Sequence, residues 1–363
     1  MKTKILFFYH HHESYGHTSR LEKLLHSIKP LNFNITIISG GRPSLVERSK
    51  LEKFGELIHL DEVQVSNNYN LINYTEELKQ NRIDKIKEII TNIKPSILCL
   101  EFFPFGRHML SDEFLSAIET VKKYSPDAKI ISSMRDLLGQ ELTQNKKSKI
   151  SLYLSLFDYI LIHGDKNLFP FDFKNIDNKL IYTGYFSSTP VKQGPQSYDI
   201  LFTFGGGRDF GLYEKTIFFV ANSFPHKNIK VITGEFSNVH NYQDLKNVSF
   251  IRSTTKMKEE MSCASIVISM CGYNSFSELL ELEKKTIFIP RPYDREQGLR
   301  ALFAKKIPYM RTLGLTDSLT GNIIECINQL DPQKIEKRKV PFYFNGLNNC
   351  KNFFMKISTE AKV

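Results

Sequence analysis

Four histidines, His10, His11, His12 and His17, fall within eight residues in the stretch FFYHHHESYGHTSR, directly after an apolar run. Imidazole can ligate a metal, or it can move a proton near neutral pH because its unperturbed pKa is about 6.5. Adjacent side chains on an extended segment point to opposite faces, so His10, His11 and His12 are not expected to converge on one ion. An affinity tag is also disfavoured, since the histidines follow an apolar strand that a fold would need. No metal site is expected, and His11 and His12 are expected to be polar loop residues.

Two further stretches have chemistry-bearing spacing. In GGGRDFG, Gly205 to Gly211, consecutive glycines let backbone amides approach a phosphate, and a helix after them adds its positive end. The loop lacks the Gly-Lys-Ser/Thr ending of a triphosphate-binding loop, and Phe210 stands where G-x-G-x-x-G has its third glycine. A tight turn with no ligand stays open. In SMCGYNSFSELLELEKKTIFIP, an apolar strand ends at Cys271-Gly272, Asn274 or Ser275 is expected to cap the next helix, and Glu278 falls in its first turn. A carboxylate there can accept both hydroxyls of a ribose, or it can be an ordinary partner of the helix dipole. Glu101 and Arg107 flank FFPFG, and Arg135-Asp136 follows another strand end. Each reads equally as a ligand contact or as an ion pair holding a loop.

These residues need a scaffold, and the chain is long enough for two domains at 363 residues. An apolar fraction of 41% and a charged fraction of 24% are ordinary for a globular protein, and no apolar run approaches the roughly 20 residues that span a bilayer. The N-terminus lacks a small-residue cleavage site and reads as a strand. Cys99, Cys263, Cys271, Cys326 and Cys350 are odd in number and scattered, which argues against disulfides and zinc and fits a reducing cytoplasm. The net charge of +10 points to anionic partners. No nucleic-acid-binding signature accompanies it, so phosphorylated ligands or an anionic membrane surface are expected rather than nucleic acid.

Short apolar runs alternate with amphipathic helical stretches, the pattern of α/β layers. Strands are expected at 4–9, 34–39, 96–101, 128–133 and 159–164, and again at 199–207, 229–234, 265–272 and 285–290. In NRIDKIKEIITNIK, Ile83, Ile86, Ile90 and Ile93 share one face. The expected organisation is an N-terminal Rossmann-like domain over 1–185, a linker over 186–198, a second Rossmann-like domain over 199–344 and a C-terminal helix over 345–363 that packs back on the first. Two doubly wound domains predict a cleft, with ligand groups in the loops after the strands.

Gly272 followed by Glu278, an apolar strand ending IPRP and the stretch YDREQGLRA resemble the donor-binding half of GT-B glycosyltransferases. EFFPFGR, MRDLLG, DYILIHGD, YTGY and FTFGGGRD resemble further blocks of the same superfamily. The group that is most similar includes the peptidoglycan-precursor N-acetylglucosaminyltransferases and their predicted-glycosyltransferase relatives, and the resemblance covers most of the chain in order. It implies that Glu278 holds the nucleotide ribose, that Gly205, Gly206 and Gly207 face the diphosphate, and that Gln297 and Glu296 meet donor-sugar hydroxyls. Ile251 falls where backbone groups read the base. Arg208, Gly272, Asn274 and Ser275 complete the donor side. Arg208-Asp209 departs from the small polar residues of that group, which leaves the donor's identity open.

The same resemblance places Gly16-His17 at the end of the loop after the first strand, with His17 taking the acceptor's proton and Arg20 one turn further on. His10, Gly16, Arg20, Glu101, Arg107 and Arg135 are then expected on the acceptor side. The expected activity is inverting, metal-independent transfer of a hexose or N-acetylhexosamine from a UDP- or other nucleotide-diphosphate sugar, a co-substrate, with no cofactor. The acceptor is lipid-linked or a small molecule, and the expected location is the cytoplasm, at the membrane's inner face if peripheral. GHTSR equally fits the Gly-His-x-x-Arg loop of a nucleotide-sugar hydrolase, and a non-catalytic nucleotide-sugar-binding protein is the third alternative.

Overall fold

The run KILFFY forms strand β1 (Lys4–Tyr9) at the centre of a parallel sheet, and its side chains alternate between two apolar layers. Strands on either side and helices on both faces explain why it is continuously apolar rather than alternating. The computed structural model describes residues 2–10, 15–64, 71–138, 142–169, 171, 173, 176–187, 195–207, 209–235, 237, 245–332 and 344–360. Arg208, His11 and His12 lie outside the described residues. The chain forms two units, one of Met1–Phe186 with Tyr343–Val363 and one of Ser187–Phe342.

In the first unit, β1 leads into α1 (Tyr15–Ile28), β2 (Asn34–Ser39), α2 (Leu45–Leu51) and β3 (Glu56–His59). Then come α3 (Glu76–Ile93), β4 (Ile97–Glu101), α4 (Ser111–Tyr124), β5 (Lys129–Arg135), α5 (Gln144–Leu154), β6 (Tyr159–His163) and β7 (Leu180–Tyr182). The strands form a seven-stranded sheet in the order β3-β2-β1-β4-β5-β6-β7, every pair parallel. Leu24 and Leu25 of α1 share one face with Phe7, and Phe8 stacks on Phe114 of α4 across the other, ring centroids 4.5 Å apart. The isoleucine stripe of α3 is buried as its spacing predicts, through Ile83, Ile86 and Ile90, but Arg82 is buried with it. Its guanidinium makes two bonds to Glu113 of α4, at 2.8 and 2.9 Å, so the α3–α4 contact encloses a fully buried ion pair.

The second unit contains β8 (Tyr198–Thr203), α6 (Phe210–Ser223), β9 (Ile229–Ile232), β10 (Val248–Ile251), α7 (Met257–Ser262) and β11 (Ala264–Ser269). It continues through α8 (Tyr273–Glu281), β12 (Thr286–Phe288), α9 (Arg295–Ala304), β13 (Met310–Thr312) and α10 (Gly321–Leu330). Its six strands are parallel, in the order β10-β9-β8-β11-β12-β13. The last helix, α11 (Gly346–Glu360), belongs to the first unit, where Phe354 meets Phe7 at 6.0 Å between centroids. The strand order reverses between β1 and β4 in one sheet and between β8 and β11 in the other. Loops diverge at such a reversal and leave a crevice at the carboxyl ends of the strands. Among the described residues no helix is long and apolar enough to cross a membrane.

Candidate active site

At the β1/β4 reversal, His17 lies in the first turn of α1 and Glu101 is the last residue of β4. His17 Nδ1 is 2.6 Å from Glu101 Oε1, and Arg20, one turn further along α1, makes an ion pair with the same oxygen. All three side chains are at most 11% exposed. An ionised carboxylate can only accept, so Nδ1–H donates, and in the neutral imidazole the lone pair is on Nε2, where it accepts from Arg107. Nε2 is therefore the atom able to take a proton, and Arg107 Nη2 lies 3.4 Å from it.

Arg107 comes from the loop after β4, where Phe102 and Arg107 both adopt left-handed backbone conformations, with φ of 66° and 63°. Arg135, at the end of the neighbouring β5, lays its guanidinium over the Phe102 ring, 5.1 Å from the centroid. Burial, with Arg135's charge adding to it, pushes Arg107 down to about 9. Behind the cluster, His163 at the end of β6 is fully buried between the hydroxyls of Ser133, at 2.8 Å, and Thr183, at 2.9 Å. Burial first, and Arg20's charge second, hold it well below 6.5, so it stays neutral. His163 was not singled out by sequence. Its only signal is a histidine closing an apolar strand. His10 is also fully buried, its ring against Gly40, where an added Cβ would come within 2.5 Å. Its place is in the packing, not on an open acceptor surface, because β1 continues straight into the crowded β1–β2 layer.

In the second unit, Gly205 and Gly207 follow β8 with φ of 62° and 87°. Gly207 has a packing reason to lack a side chain: its Cβ would sit 2.5 Å from the Thr233 carbonyl, as the loop after β8 meets the loop after β9 backbone to backbone. At Gly205 a Cβ would meet only Met270 Cε at 3.7 Å, and at Gly272 nothing within 4 Å, so both face open space. Gly206 stands between the two loop glycines. Gly272, rather than Asn274 or Ser275, is the N-cap of α8. No side chain caps that end, and no acid occupies its first turn. Glu278 consequently falls in the second turn of α8, not the first, and is 7% exposed. Asn274 Oδ1 is buried with no hydrogen-bond partner among the described residues.

The remaining donor-side candidates are engaged within the unit. Gln297 accepts from the Arg291 amide at 3.0 Å and donates to Asp294 at 3.1 Å, closing the turn before α9. Glu296 is 5% exposed and meets Arg300 at 3.1 Å, beneath the Cys271–Gly272 turn. The Ile251 carbonyl accepts from the Thr233 amide at 3.1 Å as part of the sheet edge. Asp209 pairs with Arg291 from the segment after β12, tying two strand-end loops together. Among the described residues no three His, Cys, Asp or Glu side chains gather as metal ligands.

Residues 200–339 match the model of the glycosyltransferase family 28 C-terminal domain. Over the whole chain the fold is similar to that of CalG4, the calicheamicin glycosyltransferase, at 11% identity and a TM-score of 0.64, covering 99% of this chain and 95% of that one. It is similar to Acinetobacter baumannii MurG at 10% identity and 0.62, covering 98% and 99%. The UDP-GlcNAc 2-epimerase of Methanocaldococcus jannaschii is similar at 10% identity and 0.61, covering 98% and 100%, so the fold alone does not choose the reaction. No curated protein sequence matches the chain. Residues 200–339 thus match a glycosyltransferase family 28 C-terminal domain within the second unit, and the two parallel sheets give the chain the GT-B fold of these neighbours.

Proposed function

We propose that the chain is an inverting glycosyltransferase that moves a hexose or N-acetylhexosamine from a nucleotide-diphosphate sugar, UDP-linked in the first instance, to an acceptor hydroxyl. The observation that carries the reading is the 2.6 Å contact of His17 Nδ1 with Glu101, which favours the Nδ1–H tautomer and supports Nε2 as the base. Nε2 takes the acceptor's proton as the acceptor oxygen attacks the anomeric carbon. The bond from that carbon to the phosphate oxygen breaks on the opposite face, and the nucleoside diphosphate leaves with the electron pair. Its charge is assigned to the amides around Gly205 and Gly272 and to the uncapped positive end of α8, so this scheme needs no metal. Glu278 is assigned to the ribose.

Turnover and donor binding separate the two halves of the proposal. With a UDP-sugar panel, His17→Ala is expected to lower kcat about 100-fold or more at unchanged donor affinity and melting temperature. Glu278→Ala is expected to weaken UDP binding by about 1.5 to 3 kcal/mol. Activity that survives a chelator fits the scheme. Sugar release at full rate without any acceptor would instead identify a hydrolase, and wild-type turnover in His17→Ala would remove the base.

A further inference from the structure

We infer that Arg107 and Arg135 form a subsite for an acidic group carried by the acceptor close to its reacting hydroxyl, a carboxylate or a phosphate. The inference rests on the reading of His17 as the base. Arg107 Nη2 is 3.4 Å from the nitrogen that faces the acceptor, and no carboxylate answers it. The nearest one, Glu101, is engaged by Arg20 and His17. Among the described residues Arg107 makes no ion pair, and its Nε is buried with no hydrogen-bond partner. The neighbouring cation, Arg135, is half-buried against Phe102 rather than extended into solvent.

Taking Arg107's charge out of water beside a second cation is unfavourable, and an anionic group on the acceptor offsets that cost. Burial, with Arg135's charge, already pushes Arg107 down to about 9, far below where a guanidinium ordinarily titrates. The loop that aims Arg107 also holds Phe102 and Arg107 in left-handed backbone, a conformation that is unfavourable for both residue types and is kept where the surroundings demand it. The geometry sets the ligand's size. A hydroxyl about 3 Å from Nε2 and an anionic oxygen about 3 Å from Nη2 are neighbours on one small fragment. An arginine fork favours a bidentate carboxylate or phosphate over a neutral hydroxyl or amide.

The test uses the full chain without donor, titrated by nuclear magnetic resonance with glycerol 3-phosphate, glycerate and glycerol, which share a hydroxyl and differ in the acid. At least one acidic fragment is expected to bind the wild type at least ten-fold more tightly than glycerol does, and which one tells phosphate from carboxylate. Arg107→Gln is expected to lose that preference, Arg107→Lys to keep part of it, and Arg135→Gln to weaken it, with melting temperatures recorded for each. No preference for an acid over glycerol, or equal binding by wild type and Arg107→Gln, overturns the subsite. An Arg107→Gln chain that binds the fragments normally but loses UDP affinity would place this arginine on the donor instead. Because no turnover is measured, an inactive His17 would refute the proposed reaction and leave this result standing.

Discussion

Glu101 meets two groups at one carboxylate oxygen, an imidazole that must be oriented and a buried guanidinium that must be neutralised. The two duties separate in a double substitution. Glu101→Gln removes the anion beside Arg20, and a buried cation losing its partner costs about 3–5 kcal/mol. Adding Arg20→Gln removes the cation as well, so the double variant is expected to melt higher than Glu101→Gln alone. If Glu101 also orients His17, kcat stays low in the double variant while the KM for donor stays near wild type. Recovery of both melting temperature and kcat would make Glu101 a structural anchor only. At this scale the sequence was legible in two ways: the resemblance picked out His17 and Arg20, the strand-end position picked out Glu101 and Arg107, and the four meet as a group. His10, expected on the acceptor side, is fully buried with its ring against Gly40, which residue type and spacing do not reveal.

Long apolar runs and their alternation with helices were readable because both faces of a central parallel strand are covered. The short strands β3, β7, β10 and β13 were not, since each is three or four residues long and mostly half-buried at or near a sheet edge. The start of α8 was placed too late because Asn274 and Ser275 are good caps by type, whereas the chain turns at Gly272 and leaves the helix end uncapped. The glycine loop after β8 can be divided by experiment. Gly205→Ala meets open space and pays mainly for its left-handed backbone, about 1 kcal/mol. Gly207→Ala drives a Cβ into the backbone of Thr233 and Gly234, so it is expected to cost clearly more and to displace the loop. Thermal melting of the two variants checks the order. Equal stability would mean that the two loops can part at no cost, and that the Gly207–Gly234 contact does not hold the glycine loop in shape.

A net charge of +10 is a property of the whole chain, but it acts where cations stand beside exposed apolar groups. One such place is the outer face of α5, where Lys146, Lys147 and Lys149 are exposed and Leu152 is 69% exposed. His108 is held below its usual range by burial and then by the charges of Lys146 and Lys149, which puts the exposed Met109 segment beside the same lysines. Cations around protruding apolar side chains match an anionic lipid surface: each lysine near such a surface contributes about 1 kcal/mol, and the apolar groups enter the interface. On this basis the chain is expected to bind vesicles containing anionic phospholipid at low salt and to release them as salt rises, because screening shortens the reach of the charges to about 8 Å near physiological ionic strength. Lys146→Glu with Lys149→Glu is expected to weaken sedimentation with vesicles at least ten-fold, and Leu152→Ser to weaken it less and independently of salt. Neither exchange touches the His17–Glu101 pair, so activity on a water-soluble acceptor should persist in both. Vesicle binding that is unchanged in the charge variant, or absent in the wild type at low salt, would detach this face from the membrane and leave the acceptor to be sought among soluble molecules.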